Sequence, residues 1–191
     1  MTRVDTHPPT RARILSAAVA LTTSEGWAAV TMGRLADEAG VSRQTVYNEV
    51  GTKAGLAEAM VLAELDRFLE LVDDGFAAHP ADLGRALRAA IRGVLREARG
   101  NALLRAVVSP GAGDLLPPLT SDAGALLDAA TAVVAARISA YDVALDGRAR
   151  DAAVDMLVRT VLGHVIQPSG PTDRSADDIA ALATRLLTTA G

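Results

Sequence analysis

Between Thr10 and Thr52 the chain marks its own helix boundaries more densely than anywhere else, and this limits the fold before composition is considered. Thr10, Thr31, Ser42 and Thr52 each stand just before a periodic apolar segment. A hydroxyl there can accept one of the backbone N–H groups that the first turn of a helix leaves unpaired. Gly26, Gly40 and Gly51 each stand just after such a segment, where a residue without Cβ reaches the left-handed conformation that closes a helix. The expected elements are helices over 10–25, Met32–Ala39 and Arg43–Glu49, and a longer one from Lys53 to about Ala77. Ile14, Leu15, Ala18, Val19 and Leu21 form the apolar stripe of the first. Trp27, just past its end, is expected in the core.

Downstream the signals are sparser. Leu83, Leu87, Ile91, Val94 and Leu95 recur at helical spacing between Asp82 and Ala98, and Asn101–Val108 reads as a shorter helix. Ser109–Gly113 and Pro117-Pro118 are breaks. Ser121–Tyr141 and Asp146–Ile166 read as long amphipathic helices, Gln167–Arg174 as a linker and Ser175–Ala190 as the last helix. Aromatics make up only 3% of the chain and no strand-like alternation persists, which leaves nothing to build a sheet. The expected fold is all-α with about nine helices. A three-helix domain over 10–52 follows a flexible arm over 1–9, and a long fourth helix leads into a helical body over 53–191.

Several functional classes drop out. There is no cysteine, and the three histidines (His7, His79 and His164) lack metal-ligand spacing. No run of 18 apolar residues is present to span a membrane, and MTRVDTHPP has no apolar core of a signal peptide. A cytoplasmic location is therefore expected. No nucleophile elbow or glycine-rich phosphate loop occurs. Asp73-Asp74 and Asp177-Asp178 are adjacent pairs aimed at different helix faces, unsuited to paired acid–base work. Neither an enzyme nor a cofactor is expected.

The net charge of −4 speaks against nucleic acid, but it is unevenly placed. Six bases (Arg3, Arg11, Arg13, Arg34, Arg43 and Lys53) face five acids up to Gly55, leaving 13 bases and 18 acids for the remainder. The segment Thr31–Gly51 has the helix, glycine turn and second helix of a DNA reader. At 100° per residue, Gln44 and Asn48 lie opposite the apolar Val46, flanked by Thr45 and Tyr47. Glutamine and asparagine can pair with adenine, and a threonine methyl can meet that of thymine. The first turns of the first four helices carry Arg11, Arg13, Arg34, Arg43 and Lys53 and no acid, against the helix dipole. An external phosphate facing those ends would explain them.

From Arg11 to about Met60, with EGWAAVTMGRLADEAGVSRQTVYNEVGTKAGLAEAM at its centre, the chain resembles the DNA-binding domain of the TetR family of repressors. Caps, glycines, tyrosine and lysine fall in register together. The resemblance implies a homodimer that binds a palindromic operator on double-stranded DNA and is released by a small-molecule effector. It implies phosphate contacts from Thr31, Tyr47 and Lys53, and a base-reading helix bearing Arg43, Gln44, Thr45 and Asn48. With Arg34 and Ser42, these are the candidate DNA-binding residues. One departure is Val50, where the family usually carries an aromatic wedge between the third and fourth helices, so a looser join is expected.

In the body, the candidate effector lining is Phe68, Leu87, Ile91, Leu103, Leu104, Val107 and Leu127, suited to an apolar ligand, with Thr160 and His164 as polar additions. Core packing accounts for the same apolar residues, and His164 for a hydrogen-bonded core histidine. Val154, Leu157, Val158, Val161, Leu162 and Val165 make a stripe wider than one seam needs. With Ile179, Leu182 and Leu186 it suits a four-helix dimer interface. Met60, Phe76 and Met156 read as core. The alternatives left open are an activator, a DNA binder without a ligand, and a helical interaction protein with a vestigial reader.

Overall fold

The computed structural model describes residues 9–108 and 123–189, except for the side chains of 106–108 and 123. Among the described residues there are nine α-helices, one 3-10 turn at Trp27–Ala29 and no strand. The helices are α1 (Thr10–Glu25), α2 (Met32–Ala39), α3 (Arg43–Val50), α4 (Lys53–Ala77), α5 (Leu83–Gly100), α6 (Ala102–Val108), α7 (Ala123–Ile138), α8 (Gly147–Ile166) and α9 (Thr172–Thr188). The all-α expectation holds. The arm before Pro9, the breaks at Ser109–Gly113 and Pro117-Pro118, and the expected start at Ser121 lie outside the described residues.

Local chemistry sets most of the ends. The hydroxyls of Thr31, Ser42 and Thr52 accept the N–H of Arg34, Thr45 and Gly55 at 3.3, 3.0 and 3.1 Å. The Asp82 carboxylate does the same for Arg85 at 2.9 Å. Three boundaries differ from the sequence reading. Pro9, not Thr10, caps α1, and its carbonyl accepts the N–H of Arg13 at 3.1 Å. Pro171 likewise starts α9 at Thr172, three residues before Ser175, whose N–H meets the Pro171 carbonyl at 3.0 Å. A proline caps with its carbonyl and offers no side-chain signal. Finally, α7 stops at Ile138. Beyond it Tyr141 sets its ring edge-on against Phe76, 5.9 Å between centroids, and donates its hydroxyl to the His79 carbonyl at 2.9 Å.

The chain forms two compact units. The first holds residues up to Ala63 together with α6. Its core joins Ile14, Ala18 and Leu21 of α1, Trp27, Val30, Leu35, Val46, Val50, Leu56 and Met60, with Leu103 from α6. The second holds Glu64–Asn101 with α7, α8 and α9. There Leu87, Ile91 and Leu95 of α5 pack with Ile138, Val154, Leu157, Ile179, Ala183 and Leu187. The expected division at 52/53 falls inside the first unit, whose core takes Leu56, Ala57 and Met60 from the opening turns of α4 and Leu103 from α6.

In the second unit α5 and α9 run antiparallel and are edged by ion pairs. Arg88 and Arg92 meet Asp177, each at 3.1 Å, Arg96 meets Asp173 at 2.8 Å, and Arg99 donates to the Gly170 carbonyl. The second half of α4 crosses α5 at Gly75, where a Cβ would stand 2.4 Å from the Ala90 nitrogen and 2.5 Å from its Cα. Arg137 of α7 grips Asp73 of α4 with two bonds, at 2.6 and 2.9 Å. This hydrogen bonding holds the Asp73 carboxyl below its ordinary value.

Gly75→Ala should therefore destabilise the protein although alanine favours a helix by about 1 kcal/mol. Forcing the α4–α5 backbones apart costs about 1–3 kcal/mol, so a lower midpoint in urea denaturation is the expected result. The Arg137–Asp73 pair adds a pH signature. A carboxyl depressed by folding contributes stability above its unfolded pKa and loses it as pH falls through the folded value. The stability gap between wild type and Asp73→Asn should thus be present at neutral pH and close at acid pH, as read by denaturation at a series of pH values.

Candidate nucleic-acid interface

The turn between α2 and α3 is three residues long, Gly40-Val41-Ser42, and each has a fixed task. Gly40 takes the left-handed conformation at φ 62° and ψ 43°. Val41 donates its N–H back to the Ala36 carbonyl at 2.9 Å, closing α2 in the six-to-one pattern of a glycine-terminated helix. Ser42 caps α3. Leu35, Ala36 and Ala39 of α2 and Val46 and Val50 of α3 are buried together. Val46 has no exposed surface, so the opposite side of α3 faces outward. There Gln44, Tyr47 and Asn48 are exposed, with Tyr47 at 51%, and Thr45 is half-buried. Gln44 Nε2 donates to Asn48 Oδ1 at 2.9 Å, and the Ser42 and Thr45 hydroxyls are 2.8 Å apart.

Most of the first-turn cations have partners within the protein. Arg11 donates to the Glu49 carbonyl, and Arg13 to those of Ala39 and Gly40. Both lie at the C-terminal ends of α3 and α2, where a cation is favoured by the helix dipole and unpaired carbonyls await donors. Arg34 pairs with Glu25 at 2.8 Å and donates to the Ala29 carbonyl at 3.3 Å. That hydrogen bonding holds the Glu25 carboxyl below its ordinary value and raises the Arg34 guanidinium. The Arg43 guanidinium lies against Gly33, 3.1–3.2 Å from where a Cβ would stand. Lys53 donates to the Trp27 carbonyl at 2.9 Å, its ammonium 4.9 Å from the centre of the indole ring. The argument from unpaired first-turn charge thus has an internal explanation for Arg11, Arg13 and Arg34. Lys53 keeps two further N–H donors for an external anion.

The join after α3 is closed rather than loose. Gly55 lets the first turn of α4 approach Val50 so nearly that a Cβ there would stand 2.5 Å from the Val50 carbonyl oxygen. Backbone proximity substitutes for a large side chain at position 50.

The residues expected to line an effector site are shared between the two cores. Leu87 and Ile91 are buried in the second and Leu103 in the first. Phe68, Leu104 and Leu127 are half-buried, and the Val107 side chain lies outside the described residues. Thr160 is exposed, with its hydroxyl bonded to the Met156 carbonyl at 2.7 Å. His164 is half-buried and its Nδ1 is 2.9 Å from the Thr160 carbonyl. It borders a recess of about 30 Å³ with Leu95, Ala98 and Val165, room for a water molecule.

The expected dimer residues divide as well. Val154, Leu157 and Ile179 are buried within the second core, with Val158, Val161 and Val165 packed against it. Leu162, Leu182 and Leu186 are exposed by 43, 66 and 48%. Met156, read as core, is 63% exposed, and Ile166 is 55% exposed. Neither was marked by the apolar stripe. The signal that could have found Met156 is the run of small residues sharing its side of α8, namely Ala149, Ala152 and Gly163.

No described helix is long and apolar enough to cross a membrane, and no group of three metal-binding side chains occurs among the described residues. A two-helix reader presenting a polar face on α3, attached to a helical body, defines a helix-turn-helix DNA-binding regulator. Comparisons with known proteins agree. The family described as "Bacterial regulatory proteins, tetR family" matches residues 14–60, and "Bacterial Tetracyclin repressor, C-terminal domain" matches residues 82–185. The HTH-type transcriptional regulator AlkX of Mycobacterium tuberculosis is 30% identical over 178 residues, covering 91% of this chain and 83% of that one. Among solved structures, the TetR family repressor AlkX of Dietzia sp. strain DQ12-45-1b, implicated in biodegradation of n-alkanes, is 29% identical. It covers 92% of this chain and 98% of its own, with a TM-score of 0.74. FadR of Bacillus subtilis, solved in complex with stearoyl-CoA, shares the fold at 16% identity and a TM-score of 0.60, over 90% of this chain and 96% of its own. The chain belongs to the TetR family of transcriptional regulators.

Arg13 is bonded to two carbonyls at the end of α2, whereas Lys53, bonded to the Trp27 carbonyl, keeps further donors, and this difference makes a prediction. Arg13→Ala should lower the denaturation midpoint, since a hydrogen bond from a charged group contributes about 1.5–3 kcal/mol, while leaving the salt dependence of DNA binding unchanged. Lys53→Ala should weaken binding to all sequences alike and reduce the salt slope by about 1. Titrations of both variants over a salt series separate the two roles.

Proposed function

We propose that the chain is a cytoplasmic repressor that binds a palindromic operator as a homodimer and leaves it when a small apolar molecule binds the body. The observation that carries this reading is the outward face of α3, where Gln44, Tyr47 and Asn48 are exposed on the side opposite the fully buried Val46. That is the arrangement a major-groove reader needs. Thr31, Ser42, Tyr47 and Lys53 are its backbone contacts, and Arg43, Gln44, Thr45 and Asn48 belong to its base-reading helix, with Arg34 held near by Glu25.

A homodimer is supported by the apolar surface of the last two helices. Met156, Leu162, Ile166, Leu182 and Leu186 account for most of the large exposed apolar residues of the described chain. Such concentration is typical of a surface that another chain covers. In a symmetric dimer the two copies of α3 would stand one DNA turn apart, about 34 Å.

An apolar effector is supported by the half-buried Phe68 and Leu127 of the second unit and by the link between the AlkX relative of Dietzia and n-alkane degradation. Release follows if the ligand binds more tightly to the form that cannot hold DNA; equal affinity for both forms would shift nothing. Because α4 contributes turns to both compact units, it is the element through which a ligand in the body would act.

Fluorescence anisotropy of the full chain with the DNA upstream of its own gene, at two salt concentrations, tests the reading. Binding should exceed that to a random duplex, weaken at high salt and saturate at an even number of subunits, and Leu182→Glu should abolish that stoichiometry. An n-alkane or fatty acyl-CoA series should release the DNA at concentrations that fall with chain length, since each buried CH₂ contributes about 0.8 kcal/mol. No preference over random DNA, either upstream or after selection from random duplexes, would sink the proposal.

A further inference from the structure

We propose that Gln44 and Asn48 read one adenine as a unit: Asn48 meets the base, and Gln44 is a positioning residue that fixes the Asn48 amide. This rests on the DNA-binding reading above and adds to it a base identity and a division of labour. The two residues are exposed one helical turn apart on α3, and Gln44 Nε2 donates to Asn48 Oδ1 at 2.9 Å. An asparagine carbonyl oxygen accepts two hydrogen bonds and its amide nitrogen offers two N–H groups. The bond from Gln44 takes one lone pair of Oδ1 and leaves the second, together with both donors of Nδ2.

A carbonyl beside an N–H donor is the complement of the N6 donor and N7 acceptor that adenine shows in the major groove. Guanine shows two acceptors there and would oppose the carbonyl. A lone exposed asparagine can turn its amide either way round and present the same groups in reverse order. With Gln44 Nε2 as the donor, the Asn48 amide is held with its carbonyl toward Gln44, an arrangement that reduces the ordering DNA binding must otherwise impose. The neighbours agree with an A·T pair. The Thr45 hydroxyl is engaged by Ser42 at 2.8 Å, which leaves its methyl for a thymine. Arg43, whose guanidinium would suit guanine, has that group against Gly33.

The test compares full-length wild type with Gln44→Ala, Gln44→Glu, Asn48→Ala and the double alanine variant. Binding is measured on a selected operator and on duplexes changed at one base pair at a time, and the readout is the ratio between duplexes, which cancels any uniform loss of affinity. Wild type should prefer A·T at one position of each half-site by about 10- to 100-fold, the discrimination of a bidentate pair. Asn48→Ala should remove that preference. Gln44→Ala should weaken it at the same position and add nothing in the Asn48→Ala background. Gln44→Glu, equal in size but able only to accept, would favour the reversed Asn48 amide and should weaken the preference at least as much as Gln44→Ala does. Independent effects of Gln44 and Asn48 at different base pairs, or a guanine preference at the position sensitive to Asn48, would overturn the proposal while leaving DNA binding intact. Wild type that selects no duplex over random DNA would overturn the DNA-binding reading and this proposal together.

Discussion

The reader helix α3 has only eight residues, well below the length at which an isolated helix is stable in water. It exists because its surroundings hold it, and much of the first unit can be understood as that support. Val46 and Val50 anchor it in the core, Ser42 closes its start and Arg11 reaches across from α1 to its last carbonyls. Arg13 does the same for α2. These arginines resolve an electrostatic oddity. In their own helix they oppose the dipole, yet each also sits at the end of another helix, where the same charge is favourable. The net effect is to tie two eight-residue helices to α1 in one frame whose outward face carries polar side chains.

Cap chemistry is local, which is why the helices from α2 to α5 were legible in the sequence to within a residue or two. Thr31, Ser42, Thr52 and Asp82 bond to N–H groups three residues ahead, a relation that spacing alone expresses. Pro9 and Pro171 act through backbone carbonyls that every residue possesses, and the cap of α1 and the start of α9 were accordingly misplaced. The polar face of α3 was legible for a related reason. Helical periodicity shows which residues share a side, and the apolar identity of Val46 shows which side is inward.

Periodicity is silent about which core an apolar face enters. Leu103 and Leu87 both read as candidate lining, yet they lie in different cores. Met156 and Leu157 are adjacent and both apolar, but one is 63% exposed and the other 8%. A methionine left on the surface looks the same in sequence as one packed in the core. Likewise, nothing near Arg11 or Arg13 announces that carbonyls far along the chain will receive them.

The same limit applies where the chain passes between its two units. It leaves the first after Ala63 and returns to it at Ala102. On the second-unit side of those passages the Asn101 amide, 5% exposed, donates to Glu64, which also faces Arg67 at 3.6 Å. Asn101 is the single residue separating α5 from α6. A hydrogen bond to a charged group at a buried site contributes more than one in water. The second half of α4 and the end of α5 are therefore held to each other by a polar bond at the point where the chain changes units. A displacement of α4 in the body must either carry the end of α5 with it or break that bond.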